Sequence, residues 1–190
     1  MQLLWECPLT DERYVTERAW ESATLESCPF HPAGGCSLEK LGSYARVAPE
    51  GVRVPRWWCP RQRESVSRLP SFLAARMSGT LAEVEDAVAK VEAAGSVAAA
   101  VDVVRPPDVD DAVGLVGALR WLRRRVRRVR AALVSIVTLM PERFAGVRPT
   151  LAAFQEVLAG ERVLVTLRGL AERYLGELPA PLGFRTRQGG

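Results

Sequence analysis

Cys28-Pro29-Phe30-His31-Pro32-Ala33-Gly34-Gly35-Cys36, closed by Cys59 farther along, is the stretch on which the fold turns. Soft metal ligands are confined to the first third of the 190-residue chain: Cys7 precedes this stretch, and neither Cys nor His follows Cys59. The spacing is Cys-x2-His-x4-Cys-x22-Cys. Structural zinc takes four Cys or His ligands in a tetrahedron, supplied as groups from separate turns. Cys28, His31 and Cys36 form a first group, with Pro29, Pro32 and Gly34-Gly35 helping the backbone curl around an ion. Cys59 closes the set. Cys59-Pro60-Arg61-Gln62-Arg63-Glu64 adds no further ligand, so His31 serves as the fourth, Cys7 reaches back, or the site is incomplete. Ordinary buried thiols and a metal-free relic are the plainer readings. A catalytic zinc is disfavoured, because a lone His leaves no neighbouring group for acid–base work.

The gap before Cys59 reads as a β-hairpin. Ser43–Ala48 and Val52–Trp58 are strand-like, and Pro49-Glu50-Gly51 is a turn tripeptide. Val52, Val54 and Trp58 alternate with Arg53, Pro55 and Trp57, which predicts one packed face and one charged face. Arg46, Arg53 and Arg56 make the hairpin basic. Upstream, residues 1–27 form an extension in which Asp11 to Ser27 holds a short helix; downstream, 61–79 reads as a connector.

Beyond the connector the pattern becomes helical. Thr80 and Glu83 form a capping box ahead of Leu81, Val84, Val88 and Val91 at helical spacing. Gly95 suits the end of that helix, and Ser96 caps a short second one, Val97 to Val104. Two helices joined by a tight Gly-containing turn are the skeleton of a helix-turn-helix. A third helix is predicted from near Asp108 to about Leu139, with further helices at Thr150–Ala159 and Arg162–Leu175 and a loose tail over 177–190. The expected fold is therefore mainly α: a zinc-ribbon-like hairpin at 28–60 and a helical domain at 80–176.

The third helix carries the second chemical signal. Leu115, Leu119, Leu122, Val126, Val129, Leu133, Ile136 and Met140 form a seven-residue apolar seam. Around it the chain reads Arg-Trp-Leu-Arg-Arg-Arg-Val-Arg-Arg-Val-Arg from Arg120 to Arg130. Like charges at i,i+4, such as Arg120/Arg124 and Arg123/Arg127, each cost a few tenths of a kcal/mol. No acid lies between Asp111 and Glu142 to offset them. A charge run is ordinarily a solvated face of mixed sign; this one lacks counter-charge. Nucleic acid, acids folded over from elsewhere (Glu83, Glu85, Asp86), or another protein would relieve it. In a parallel homodimer, Arg125 would face Arg130 of a second copy, which disfavours that assembly and directs the seam inward. Asp108, Asp110 and Asp111 argue against an N-terminal insertion into a DNA groove, so the arginines suit backbone contact.

Cys28 to Cys36, Gly42-Ser-Tyr-Ala-Arg46 and Arg56-Trp-Trp-Cys-Pro60 together resemble the zinc-ribbon head of bacterial insertion-sequence transposases and related helix-turn-helix proteins. Leu69-Pro-Ser-Phe-Leu73 and Gly79-Thr-Leu-Ala-Glu-Val-Glu85 are similar to the lead into the helical DNA-binding part of such proteins. The resemblance spans residues 28 to about 130 and implies recognition of element DNA. The chain departs from the pattern after Cys59, where the family completes a second ligand pair.

Composition sets the remaining bounds. With 48% hydrophobic and 25% charged residues, the chain has the make-up of a folded soluble protein. The net charge of +4 points only weakly to an acidic partner, and of 26 basic residues only Lys40 and Lys90 are lysine, which GC-rich coding also produces. Residues 1–10 show no basic segment leading into a long apolar stretch, and the most apolar run, Ala131 to Met140, is too short for a bilayer, so no signal peptide, a reducing, cytoplasmic setting and thiols rather than disulfides are expected. Phosphate loops, nucleophile elbows and the carboxylate triad of a transposase nuclease are missing, which predicts a non-enzyme with no small-molecule substrate.

The leading expectation is a structural-zinc protein binding nucleic acid, preferably double-stranded DNA. Cys28, His31, Cys36 and Cys59 would hold the metal. Arg46, Arg53, Arg56, Arg120, Arg123, Arg124, Arg127 and Arg128 would contact phosphates. A helical scaffold gripping an acidic partner and an inactive transposase fragment are the alternatives.

Overall fold

The computed structural model describes residues 1–104 and 112–184, and these divide into two compact units. The first comprises residues 1–73 with 78–80 and 184; the second comprises 74–77 with 81–183. Among the described residues there are eight α-helices and a four-stranded mixed sheet, so the fold is mixed α/β rather than mainly α.

The first unit is built on strands β1 (Gln2–Trp5), β2 (Glu39–Ala45), β3 (Arg53–Cys59) and β4 (Glu64–Pro70), in the order β1-β4-β3-β2. The expected hairpin is present as β2–β3, antiparallel, with Tyr44 opposite Val54 and Glu39 opposite Trp58. It is only half of the sheet. Residues 61–79, read as a connector, contain β4, which pairs antiparallel with β3, and β1 adds parallel to β4 with Leu4 opposite Leu69. Neither strand announces itself in sequence. β1 is four residues long, and in β4 the buried positions include Ser67 alongside Val66, Leu69 and Pro70.

Two short helices, α1 (Asp11–Thr16) and α2 (Ala19–Ser22), occupy the extension. Thr10 caps α1 by accepting from the Arg13 N–H. Tyr14 is fully buried, donates its hydroxyl to the Arg53 carbonyl at 2.7 Å, and is ringed by Trp5, Trp20 and Phe72. α2 packs on β2 and β3, which corrects the expected face of the hairpin: Trp57, not Trp58, is the buried indole.

The second unit is helical. α3 (Leu81–Ala94) and α4 (Val97–Val104) are joined by Gly95, at a φ of 71° that favours glycine, and by Ser96, whose hydroxyl accepts from the Ala99 N–H. α5 (Ala112–Leu139) is 28 residues long, about 42 Å at 1.5 Å per residue. Its expected start near Asp108 lies outside the described residues. Leu122, Val129, Leu133 and Ile136 of its seam are buried, and Leu122 closes a cluster with Ala87, Val91, Ala100 and Val101 of α3 and α4. The seam thus packs within the chain.

Three more helices follow: α6 (Pro141–Phe144), which sequence reading missed, α7 (Leu151–Val157) and α8 (Val163–Leu170), the last succeeded by a 3-10 turn over Glu172–Tyr174. α3 organises this end with two carboxylates. Glu92 accepts from the Leu151 and Ala152 N–H groups at the start of α7. Glu85, itself buried, accepts from the Val163 and Leu164 N–H groups of α8 at 3.1 and 2.8 Å. The α8 N-cap residue Arg162 offers no side-chain cap, so Glu85 supplies the missing acceptors.

The expected loose tail is packed through residue 183. Leu178, Ala180 and Leu182 are buried, and Arg76 and Arg168 donate to the Leu178 and Pro181 carbonyls. A Cβ on Gly183 would sit 1.7 Å from the Leu178 carbonyl oxygen, so this approach requires glycine. No helix among the described residues is long and apolar enough to cross a membrane.

Candidate metal centre and arginine face

Residues 23–38, between α2 and β2, form neither helix nor strand. A stretch of that length inside a compact unit needs something to fasten it. The fastening is chemical. Backbone turns place His31 N–H on the Cys28 carbonyl and Gly34 N–H on the His31 carbonyl, both at 3.0 Å. Gly34 and Gly35, at φ of 90° and 77°, then swing the chain so that Cys36 meets Cys59 at the end of β3.

Four ligand atoms converge: the Sγ atoms of Cys28, Cys36 and Cys59 and a ring nitrogen of His31 all lie within 4.8 Å of one another. Cys28 Sγ and Cys59 Sγ are 3.4 and 3.5 Å from His31 Nδ1, and Cys36 Sγ is 3.3 Å from Cys59 Sγ. Zinc–sulfur and zinc–nitrogen bonds in a tetrahedron require ligand–ligand edges of about 3.5–3.8 Å. Three edges of 3.3–3.5 Å lie at or a little under that range and no separation exceeds 4.8 Å, so the four side chains could hold one metal ion. His31 is the fourth member of the set; Cys7 stands apart, its N–H on the Ser71 hydroxyl and its thiol pKa raised chiefly by burial.

The electrostatics favour a thiolate at one corner. Burial opposes ionisation of Cys59, but the Gln62 N–H at 3.2 Å, the Cys36 and Cys28 thiols and the Arg61 N–H outweigh it, and its pKa is lowered. Cys36 is pushed up to about 12, by desolvation first and then by its bonds to, and the charge of, Cys59 and Cys28. The first negative charge settles on Cys59 and holds the next proton on Cys36. A divalent cation reverses that penalty. The Gln62 amide could not be read from residue type; its role comes from the turn between β3 and β4.

The expected phosphate contacts separate into groups. In the hairpin, Arg56 is exposed, Arg53 is exposed but engaged with the Ser43 hydroxyl and carbonyl, and Arg46 is half-buried with its pKa lowered by desolvation. On α5, Arg120, Arg123, Arg124 and Arg127 are exposed and Arg128 is half-buried. Arg130 is exposed too and belongs with them, as its helical position could have shown. At ~100° per residue, Arg120, Arg124 and Arg127 lie opposite the buried seam, with Arg123 and Arg130 on one flank and Arg128 on the other.

Among the described residues, none of these six α5 arginines forms an ion pair. The acids weighed as internal partners are largely committed elsewhere: Glu85 caps α8, and Asp86 pairs with Arg162. Glu83 acts on Arg125, a different case. Arg125 is buried, its guanidinium 3.5 Å from the centre of the Trp121 ring. Desolvation lowers its pKa, and the Glu83 charge works against that. Sequence gave no sign that this arginine alone turns inward.

No family model, curated protein or solved structure matches the chain.

Proposed function

We propose that this chain is a non-catalytic, zinc-stapled DNA-binding protein that grips the phosphate backbone through the outward face of α5. The carrying observation is the row of exposed guanidiniums, Arg120, Arg123, Arg124, Arg127 and Arg130, without an ion-pair partner among the described residues. These five span about 15 Å of helix axis. Duplex DNA presents about nine phosphates over that length, counting both strands. Arg56, exposed on the hairpin of the first unit, is proposed as a phosphate contact of its own.

The Cys28–His31–Cys36–Cys59 set supports a structural zinc: thiolate-rich donors favour zinc over magnesium or calcium, and all four positions are taken by protein. The α3–α4 pair would serve as a helix-turn-helix brace. Val97–Val104 offers only Asp102 as a polar side chain, so base readout is not assigned to α4. Kinship with insertion-sequence transposase-related proteins belongs to the same proposal, as does a cytoplasmic setting.

The test is anisotropy on labelled duplexes of unrelated sequence, comparing the wild type with Arg120→Ala/Arg124→Ala/Arg127→Ala. The variant should weaken binding uniformly across sequences, with the salt slope falling by about one per arginine. Unchanged affinity would remove α5 from the contact. Binding of labelled polyglutamate that unlabelled duplex does not displace would favour a scaffold for an acidic protein.

A further inference from the structure

Trp121 stands out on α5 because it is 40% exposed, whereas Trp20 and Trp57 are buried and Trp5 and Trp58 half-buried. It sits on the flank of the arginine row, with Arg124 and Arg125 one turn on and Arg128 two turns on. Arg125 lies against the indole, 3.5 Å from its centre, and is itself only 6% exposed. A guanidinium fixed on the ring pins its orientation before any ligand arrives.

We infer that Trp121, backed by Arg125, is a stacking platform for an unpaired nucleobase, so that the ligand of α5 includes a single-stranded segment. This rests on the polyanion reading of the arginine face and narrows it. Proteins that hold single strands combine a cationic track for the backbone with an aromatic face on which bases stack, and any base will serve. Both parts occur here on one rigid element. Arg124 and Arg128 stand about 4.5 and 10.5 Å farther along the axis than Trp121, both toward the C-terminal end of α5, in position for successive phosphates of a strand leading away from the stacked base. Charge complementarity selects the occupant: an apolar partner would leave the arginines unneutralised, and a fully paired duplex would leave the indole without a base to stack on.

The experiment measures binding of labelled oligo(dT), oligo(U) and a blunt duplex, with polyglutamate as the protein-like control. The full-length zinc-loaded protein is compared with Trp121→Ala and Trp121→Phe. Oligo(dT) or oligo(U) should lose roughly tenfold or more with Trp121→Ala, be restored by Trp121→Phe, and leave the duplex within about twofold. The two oligonucleotides distinguish a DNA from an RNA source. Quenching of tryptophan fluorescence by the single strand should disappear in Trp121→Phe, a readout that general loss of structure would not mimic. If wild type binds single strands and duplex but Trp121→Ala weakens both equally, or neither, the platform alone is overturned. Binding of no nucleic acid overturns the polyanion reading and the platform with it. Polyglutamate binding as tight as oligo(dT), with the same dependence on Trp121, assigns the face to an acidic protein and also overturns it.

Discussion

Removing the metal should release one segment and spare the rest. Residues 28–36 bury little apolar surface: Cys28 is buried, Pro29 to His31 and Cys36 are half-buried, and 32–35 are exposed. Fixing their backbone costs about 1–2 kcal/mol each, or about 9–18 kcal/mol for the nine residues. Zinc bound by four such ligands returns about 10–16 kcal/mol at neutral pH. The two are comparable, so the loop should be ordered when the metal is bound and should lose that order when it is removed. The sheet has its own support in Tyr14, Val54, Trp57, Val66 and Leu69, all buried. Hydrogen exchange with and without a zinc chelator is the assay. The amides of His31, Gly34 and Gln62, whose acceptors are the Cys28 and His31 carbonyls and Cys59 Sγ, should lose protection on chelation. Amides of β4 and the seam of α5 should keep theirs. Unchanged exchange at His31 and Gly34 after metal removal would refute this reasoning, as would a purified protein without zinc.

Neighbouring acids on α3 should differ in weight in thermal or urea unfolding. Glu85→Ala leaves the buried start of α8 without acceptors and should cost about 2–3 kcal/mol, whereas Asp86→Ala breaks only an exposed ion pair and should cost under about 1 kcal/mol. Metal affinity should fall as pH falls. With its pKa near 12, Cys36 keeps its proton at neutral pH in the metal-free protein, so uptake of zinc must expel it. An indicator dye in weak buffer should report proton release on zinc addition, and pH-independent affinity would contradict the thiol geometry.

Local patterns carried the reading where one element determines its own environment. The β2–β3 hairpin, the Gly95-Ser96 junction and the seam of α5 were all legible, because turn residues and apolar spacing act within a few positions. β1 and β4 were not, since their pairing joins Gln2–Trp5 to residues more than sixty positions away. The tail did leave a trace: Leu178, Ala180 and Leu182 alternate at period two, a sign of burial obscured by Pro179 and Pro181. Glu85 also left one, falling on the apolar stripe of Leu81, Val84 and Val88, where a carboxylate must find donors. The metal set was legible as residue types, but the choice of His31 over Cys7 came from the fold, because β1 and α1 leave Cys7 beside Ser71.

Salt dependence of wild-type affinity for an unrelated duplex tests the role of α5 most directly. Five guanidiniums on phosphates give a log–log slope of about −4.5, a loss of about 500-fold between about 50 and 200 mM monovalent salt. A slope near zero, or no binding at the lower concentration, would contradict it.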